Sequence, residues 1–230
     1  LIGGSADLAP SNKTWIDSSS AISADDFSGR NIHFGVRELA MAAIQNGMIA
    51  YGGFYVFSAT FFVFADYVRP AMRVAAISKL PAIYLFSHDS FYVGEDGATH
   101  EPIEQLSSLR AMPNTVVIRP ADPTETAQAW IAALRNTTGP TAILVTRQNL
   151  EPLDRSIYPA PEMLEKGAYT LCDTKPGEQP DAIIIATGSE VQLALKAIEQ
   201  LKEVGKSIRV VNMPSWELFE KQSPEYQESV

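Results

Sequence analysis

From position 31 onward the chain alternates runs of β-forming residues with stretches whose apolar residues recur at helical spacing. The pattern predicts a short strand over 32–35, a helix over 37–50, a strand over 54–60 and a helix over 64–79. Residues 82–87 (AIYLFS) read as a continuous apolar strand, and a loop follows as far as His100. Ile103, Leu106, Leu109 and Met112 mark a helical face, and residues 115–119 (TVVIR) form the next strand. Asp122 caps a further helix, with Pro123 at its first position, Glu125 at its third, and Ala127, Trp130, Ile131 and Leu134 as its apolar stripe. Residues 141–146 (TAILVT) close the unit. Strands that are apolar throughout and separated by helices predict an α/β fold whose parallel sheet is covered on both faces. Ligands of such sheets sit at the carboxyl ends of the strands. That rule singles out residues 58–64, 88–100 and 147–149.

A second unit follows. Residues 150–161 carry Pro152, Pro159 and Pro161 without apolar periodicity and read as a linker. Beyond Gly167 the pattern predicts a strand over 183–187, a Gly188-Ser189 turn with Ser189 as helix cap, and a helix with Val191, Ala194, Leu195 and Ile198 on one face. A strand over 208–213 comes next, and residues 223–230 are expected to end without a terminal helix or strand. One βαβ unit plus a tail buries too little apolar surface for an independent core, so this domain is expected to be incomplete. The chain opens on Leu1 rather than methionine and shows no secretory signal, which reads as an interior piece of a longer protein. The uncharged stretch between Glu38 and Asp66 exceeds the length of a membrane helix, but Gln45, Asn46, Gly47 and Gly52-Gly53 interrupt it. It reads as helix, turn and strand, both elements buried in a soluble fold.

Composition narrows the function classes. Of 230 residues 46% are hydrophobic and 20% charged, which excludes a disordered or collagen-like chain. The net charge of −9 argues against a nucleic-acid surface or an anionic membrane as partner, since both require clustered positive charge. The single cysteine, Cys172, allows no intrachain disulfide and fits a reducing cytoplasm.

The densest polar cluster is His88-Asp89-Ser90 with Gly94-Glu95-Asp96-Gly97-Ala98-Thr99-His100, at the carboxyl end of a strand. It reads as a ligand-binding loop or as a solvated turn; the wide spacing of its histidines offers no metal-ligand pattern. Glu38 opens a very apolar helix. Desolvation there would disfavour its charged form and suit it to share a proton with a ligand. A first-turn Glu complementing the helix dipole, or pairing with Arg37, explains it equally. Phe61, Phe64 and Tyr67 are spaced by three and either stack a heteroaromatic ring or pack a core. Arg147 either grips an anion or forms a surface ion pair.

Six stretches stand in one order: GGSADLAPSN (3–12), FGVRE (34–38), ATFFVFADY (59–67), SHDSFYVGEDGATHEPIEQL (87–106), RPAD (119–122) and TRQNL (146–150). Together they resemble the transketolase family, over essentially the whole chain. The resemblance implies a parallel-sheet pyrimidine-binding domain of the thiamine-diphosphate-enzyme type at 1–150, a linker at 151–165, and at 166–230 the start of a truncated second α/β domain, the C-terminal transketolase domain. The family's N-terminal domain, which holds the diphosphate through Mg2+ or Ca2+, would lie outside this chain, so no metal ligand is expected here.

The resemblance also implies an activity: transfer of a two-carbon ketol unit from a ketose phosphate to an aldose phosphate through thiamine diphosphate. Glu38 and His100 would be catalytic. Glu38 would hydrogen-bond a ring nitrogen of the aminopyrimidine and favour the imino form that deprotonates the thiazolium. Phe61, Phe64 and Tyr67 would form the pyrimidine pocket, with Asp7 near the cofactor. Asp96 and His100 would bind substrate hydroxyls, and Ser11, His88 and Arg147 the sugar phosphate. A cytoplasmic homodimer formed through the pyrimidine-binding domain is implied, with half of each site on this chain, so the isolated chain is expected to be inactive. Leu39, Phe91-Tyr92 and Ala98 depart from the usual pattern without removing any of these groups. Two alternatives stay open: another thiamine-diphosphate enzyme, such as deoxyxylulose-phosphate synthase, and a non-catalytic pyrimidine-domain subunit of a split enzyme. His88 and the RQNL segment favour transketolase over the synthase.

Overall fold

The computed structural model describes residues 1–202 and 205–230. The chain forms two compact units, residues 1–116 with 133–148 and residues 117–132 with 149–230. In chain order the elements are β1 (Ile2–Ser5), α1 (Ala9–Asn12), α2 (Glu38–Tyr51), β2 (Val56–Phe61), α3 (Ala65–Ile77), β3 (Ile83–Ser87), α4 (Gln105–Arg110), β4 (Val116–Ile118), α5 (Pro123–Arg135) and β5 (Thr141–Val145). The five-stranded sheet has the order β1-β2-β3-β5-β4. β1 with β2, β2 with β3, and β3 with β5 are parallel pairs.

Register positions the site. Ser5 lies opposite Ala59, Phe61 opposite Ser87, and Ser87 opposite Val145. Asp7, Phe62–Phe64, His88 and Arg147 therefore all follow strands that end at one edge of the sheet, and Phe61 is the last residue of β2. β2 and β3 are buried at every position, as strands covered on both faces must be, Ser58 and Thr60 of β2 included.

Two expectations for this unit are corrected, and one strand was not anticipated. Residues 32–35 form no strand. Ile32 N–H donates to Gly3 O (2.8 Å) and Phe34 N–H to Ser5 O (3.3 Å), but bridge pairing stops at Asn31, which pairs with Gly3 and Ala21, and Gly35 turns away at φ +66°. The strand at this edge is β1 itself, which the glycines disguise. A Cβ on Gly3 would stand 2.0 Å from Phe57 O, and one on Gly4 2.0 Å from Ile32 O, so close backbone approach requires them. The second correction is that α2 is not buried on all sides. Met41, Ala42, Gln45 and Asn46 face inward, while Leu39, Ala40, Ala43, Ile44 and Tyr51 form an exposed apolar face. Polar anchors fix the inward side: Gln45 Nε2 donates to Val56 O (3.0 Å) and Ile83 O (2.9 Å), and Asn46 Nδ2 to Ala71 O (2.8 Å).

The second unit contains β6 (Tyr169–Asp173), β7 (Ala182–Ala186), α6 (Glu190–Lys202), β8 (Ile208–Asn212), α7 (Trp216–Phe219) and α8 (Pro224–Ser229). Its sheet runs β6-β8-β7, with β7 parallel and β6 antiparallel to β8. Residues 223–230 do carry a terminal helix. Ser223 Oγ accepts from Tyr226 N–H (3.3 Å), with Pro224 in the first turn. The unit also has a core, in which Tyr169, Leu171, Val191, Ile198 and Val210 pack with Ala121 and Leu153. Ile183 and Ile185 on β7 remain exposed. Among the described residues no helix is long and apolar enough to cross a membrane.

Candidate active site

Each functional group leaves the carboxyl edge of the first sheet by a constrained route. Asp7, two residues past β1, and His88, directly after β3, both adopt left-handed backbone, at φ 63° and 61°. Non-glycine residues seldom hold that conformation, and Asp and His do so more readily than most. Glu38 is the first residue of α2, and Phe61, Phe64 and Tyr67 follow one another from the end of β2 through a 3-10 turn, Phe62–Phe64, into α3.

These routes converge. A cavity of about 530 Å³ is lined by Asp7, Glu38, Phe64, Tyr67 and His100, with Ala6, Leu8 and Val36 as its apolar wall. Neither Asp7 nor Glu38 has a side-chain hydrogen bond or ion pair with another described residue. The His100 ring stands edge-on to Phe64 (5.4 Å between centroids, 78°) and to Phe61 (6.4 Å, 71°), with Nδ1 2.9 Å from Thr99 Oγ1. The Phe64 ring stacks between those of Phe61 (6.3 Å) and Tyr67 (6.1 Å). Glu38 is half-buried rather than enclosed, because α2 turns Leu39 and Ala40 outward. The dry setting expected from its apolar neighbours is therefore not supplied by this chain alone.

A second group adjoins the first through Phe61. That ring lies on the buried imidazole of His88, with centroids 3.6 Å apart and planes at 22°. Burial holds the proton affinity of His88 below the usual histidine range; the charges of Asp96 and Asp89 oppose this, while those of Arg147 and His100 reinforce it. Arg147 is exposed and pairs with Glu95 (3.1 Å), a partner that the sequence pattern did not indicate. Ser11 lies exposed on α1 and lines neither this cavity nor the next.

A neighbouring cavity of about 280 Å³ shares Asp7 and adds Trp15 and His33, whose rings stack at 5.6 Å. Neither aromatic was marked by the motifs. Among the described residues no group of three or more His, Cys, Asp or Glu side chains could hold a metal ion.

Two carboxylates without a partner among the described residues, stacked aromatic rings and an imidazole around one cavity can receive a flat heteroaromatic ring. The rings can pack on its faces, and a carboxylate can take or hold a proton at a ring nitrogen. The residue set thus fits an aminopyrimidine.

Comparison with known proteins agrees. Residues 1–152 match the family described as transketolase, pyrimidine binding domain, and residues 167–230 the transketolase-like C-terminal domain. Transketolase of Bacillus subtilis is 55% identical over the whole chain, which spans 34% of that relative. A transketolase structure from Pichia stipitis in complex with sedoheptulose 7-phosphate superposes with a TM-score of 0.94 at 43% identity, over 100% of this chain and 34% of that one. A structure described as a split gene transketolase, inactive beta4 tetramer, matches at TM-score 0.71 and 28% identity, over 93% of this chain and 65% of that one. With both domain families matched in order along a chain about a third as long as its curated relatives, this polypeptide belongs to the transketolase family.

Proposed function

We propose that the first unit supplies the pyrimidine half of a thiamine-diphosphate site in an enzyme that moves a two-carbon ketol unit from a ketose phosphate to an aldose phosphate. The observation that carries this reading is the single cavity shared by Asp7, Glu38, Phe64, Tyr67 and His100. Thiamine diphosphate, when bound, supplies the nucleophilic carbon that accepts and passes on the ketol unit. The Glu38 carboxylate holds a proton at the aminopyrimidine ring nitrogen. Phe64 and Tyr67 pack against the ring and exclude water, and Phe61 supports Phe64 from behind. With Nδ1 engaged by Thr99, His100 offers its other ring nitrogen to a substrate hydroxyl, and Asp96 offers a carboxylate to a second.

His88, Arg147 and Ser11 hold the phosphate end of the sugar, Arg147 by exchanging Glu95 for the phosphate. The complex of the Pichia relative with a sugar phosphate supports this substrate class. Mg2+ or Ca2+ belongs to the family's diphosphate domain, outside this chain. The exposed apolar face of α2, where Leu39 is 52% and Ile44 49% accessible, supports a homodimer in which a partner subunit covers that face and dries Glu38. A compartment with reducing conditions, the cytoplasm, suits the lone Cys172.

The test is Glu38→Gln in the complete parent protein, assayed with a ketose phosphate donor and an aldose phosphate acceptor. Turnover should fall by a factor of about 100 or more, the scale on which a positioned proton-transfer group acts. Near-normal turnover contradicts the assignment. The likeness to the inactive split-gene protein favours a second reading, in which this chain is one subunit of a split enzyme and gains activity only when mixed with the complementary subunit.

A further inference from the structure

A line of buried polar side chains runs beneath the proposed phosphate end of the site. Thr14 Oγ1 and Ser5 Oγ are 2.8 Å apart, and Asn12 Nδ2 donates to Ser5 Oγ at 3.0 Å. Ser87 Oγ donates to Asn12 Oδ1 at 2.5 Å and lies 2.8 Å from His88 Nδ1. All five side chains belong to buried residues. Their donor and acceptor inventory fixes the direction of the line. An amide oxygen only accepts, so the single hydroxyl proton of Ser87 goes to Asn12. Ser87 then has only lone pairs to offer His88, and the proton in that contact resides on Nδ1. A neutral imidazole carries one N–H, which leaves Nε2 as the basic nitrogen. Nε2 has no hydrogen-bond partner among the described residues. Two further constraints hold the ring: the Phe61 stack at 3.6 Å and the left-handed backbone of His88.

We propose that Asn12 and Ser87 are positioning residues that lock His88 in its Nδ1–H tautomer and so make Nε2 the atom that meets the substrate. The inference rests on the reading of His88 as a phosphate ligand and adds how that ligand is prepared. A basic Nε2 takes a hydrogen bond from a protonated phosphate oxygen or from a hydroxyl. To hold a phosphate dianion it must first gain a proton, because a lone pair facing an anionic oxygen is repulsive. The charged groups bearing on that proton are Asp96, Asp89, Arg147 and His100. One proton is thus shared between Nε2 and the phosphate in the bound state, and above neutral pH it comes from solvent when a dianion binds.

The experiment uses the 230-residue chain with its three histidines ring-labelled with 15N, and His88→Gln to assign the signals. At pH ~8, where imidazole is neutral, His88 should show a protonated Nδ1 and an unprotonated Nε2 as its predominant form, a hydrogen bond worth ~1.4 kcal/mol shifting the tautomer ratio about tenfold from that of free histidine. Free histidine favours the opposite tautomer, so predominance of Nε2–H in the wild-type chain overturns the proposal without any variant. Asn12→Leu and Ser87→Ala should collapse the ratio toward a mixture. Asn12→Asp, which still accepts from Ser87, should preserve it. An unchanged ratio in a folded Asn12→Leu chain also overturns the proposal. Titration with inorganic phosphate should then protonate Nε2. A correct tautomer with no response to phosphate would preserve the positioning role and remove His88 from the phosphate site, which separates the two failures.

Discussion

Glu38 and Glu125 are the same residue in the first turn of a helix, and the two halves of the molecule treat them oppositely. Glu125, on α5, is fully buried and fully engaged. It accepts from Ala121 N–H (2.8 Å), Asn212 Nδ2 (2.9 Å) and the Tyr169 hydroxyl. Beside it Asp122 caps the helix through Glu125 N–H (2.7 Å), accepts from Leu153 N–H (2.8 Å) and pairs with Arg155 (3.0 Å). Glu38 lines an open cavity and has no such partner. The contrast separates a carboxylate that holds a fold together from one that lines a cavity with no partner among the described residues. Buried acids in isolation do not make that distinction; a carboxylate without a partner facing open space does.

The largest expected effect follows from removing the two groups in turn. Glu125→Ala should lower the stability of the second unit by about 3 kcal/mol, because Tyr169, Asn212 and the Ala121 N–H lose a buried acceptor together. Glu38→Ala should change stability by less than ~1 kcal/mol, since this half-buried first-turn carboxylate has no hydrogen-bond partner among the described residues to lose. Urea denaturation of both variants checks the comparison, and equal losses would erase it.

A smaller effect concerns pH. Burial raises the Glu125 carboxyl above its ordinary 4.5, against the lowering influence of Tyr169, Ala121 N–H, Asn212 and Arg155. The folded unit therefore binds this proton more tightly than the unfolded chain does. The stability it lends is complete below the ordinary carboxylate range and is lost as pH rises through the raised value, at no more than ~1.4 kcal/mol per pH unit. Stability measured from pH ~4 upward should decline in the wild type relative to Glu125→Gln, which has no proton to lose. A parallel pair of curves contradicts the burial argument. The smallest effect is at the surface, where Glu95→Gln should leave stability within ~0.5 kcal/mol while tightening inorganic phosphate binding less than about threefold. Isothermal titration and thermal melts would detect anything larger.

The alternation of strands and helices was legible because parallel strands covered on both faces must be apolar throughout, as in residues 83–87. The helix start at Asp122 was legible because capping is local. β1 was not, since its close contacts demand glycine where strand formers give the signal. Nor was the exposure of α2: an apolar helical stripe looks the same whether it meets its own core or another surface. Polar residues after strand ends pointed to Asp96, His100 and Arg147. The tie between Ser87 and Asn12 joins positions 75 apart, and the pairing of Arg147 with Glu95 joins positions 52 apart; no local pattern announces either.

The decisive experiment for Glu38 is a crystal structure of the complete parent protein with thiamine diphosphate bound. The pyrimidine ring should pack against Phe64 and Tyr67, with one of its ring nitrogens within about 3 Å of the Glu38 carboxylate. A ring bound elsewhere, with Glu38 turned to water, would contradict this assignment.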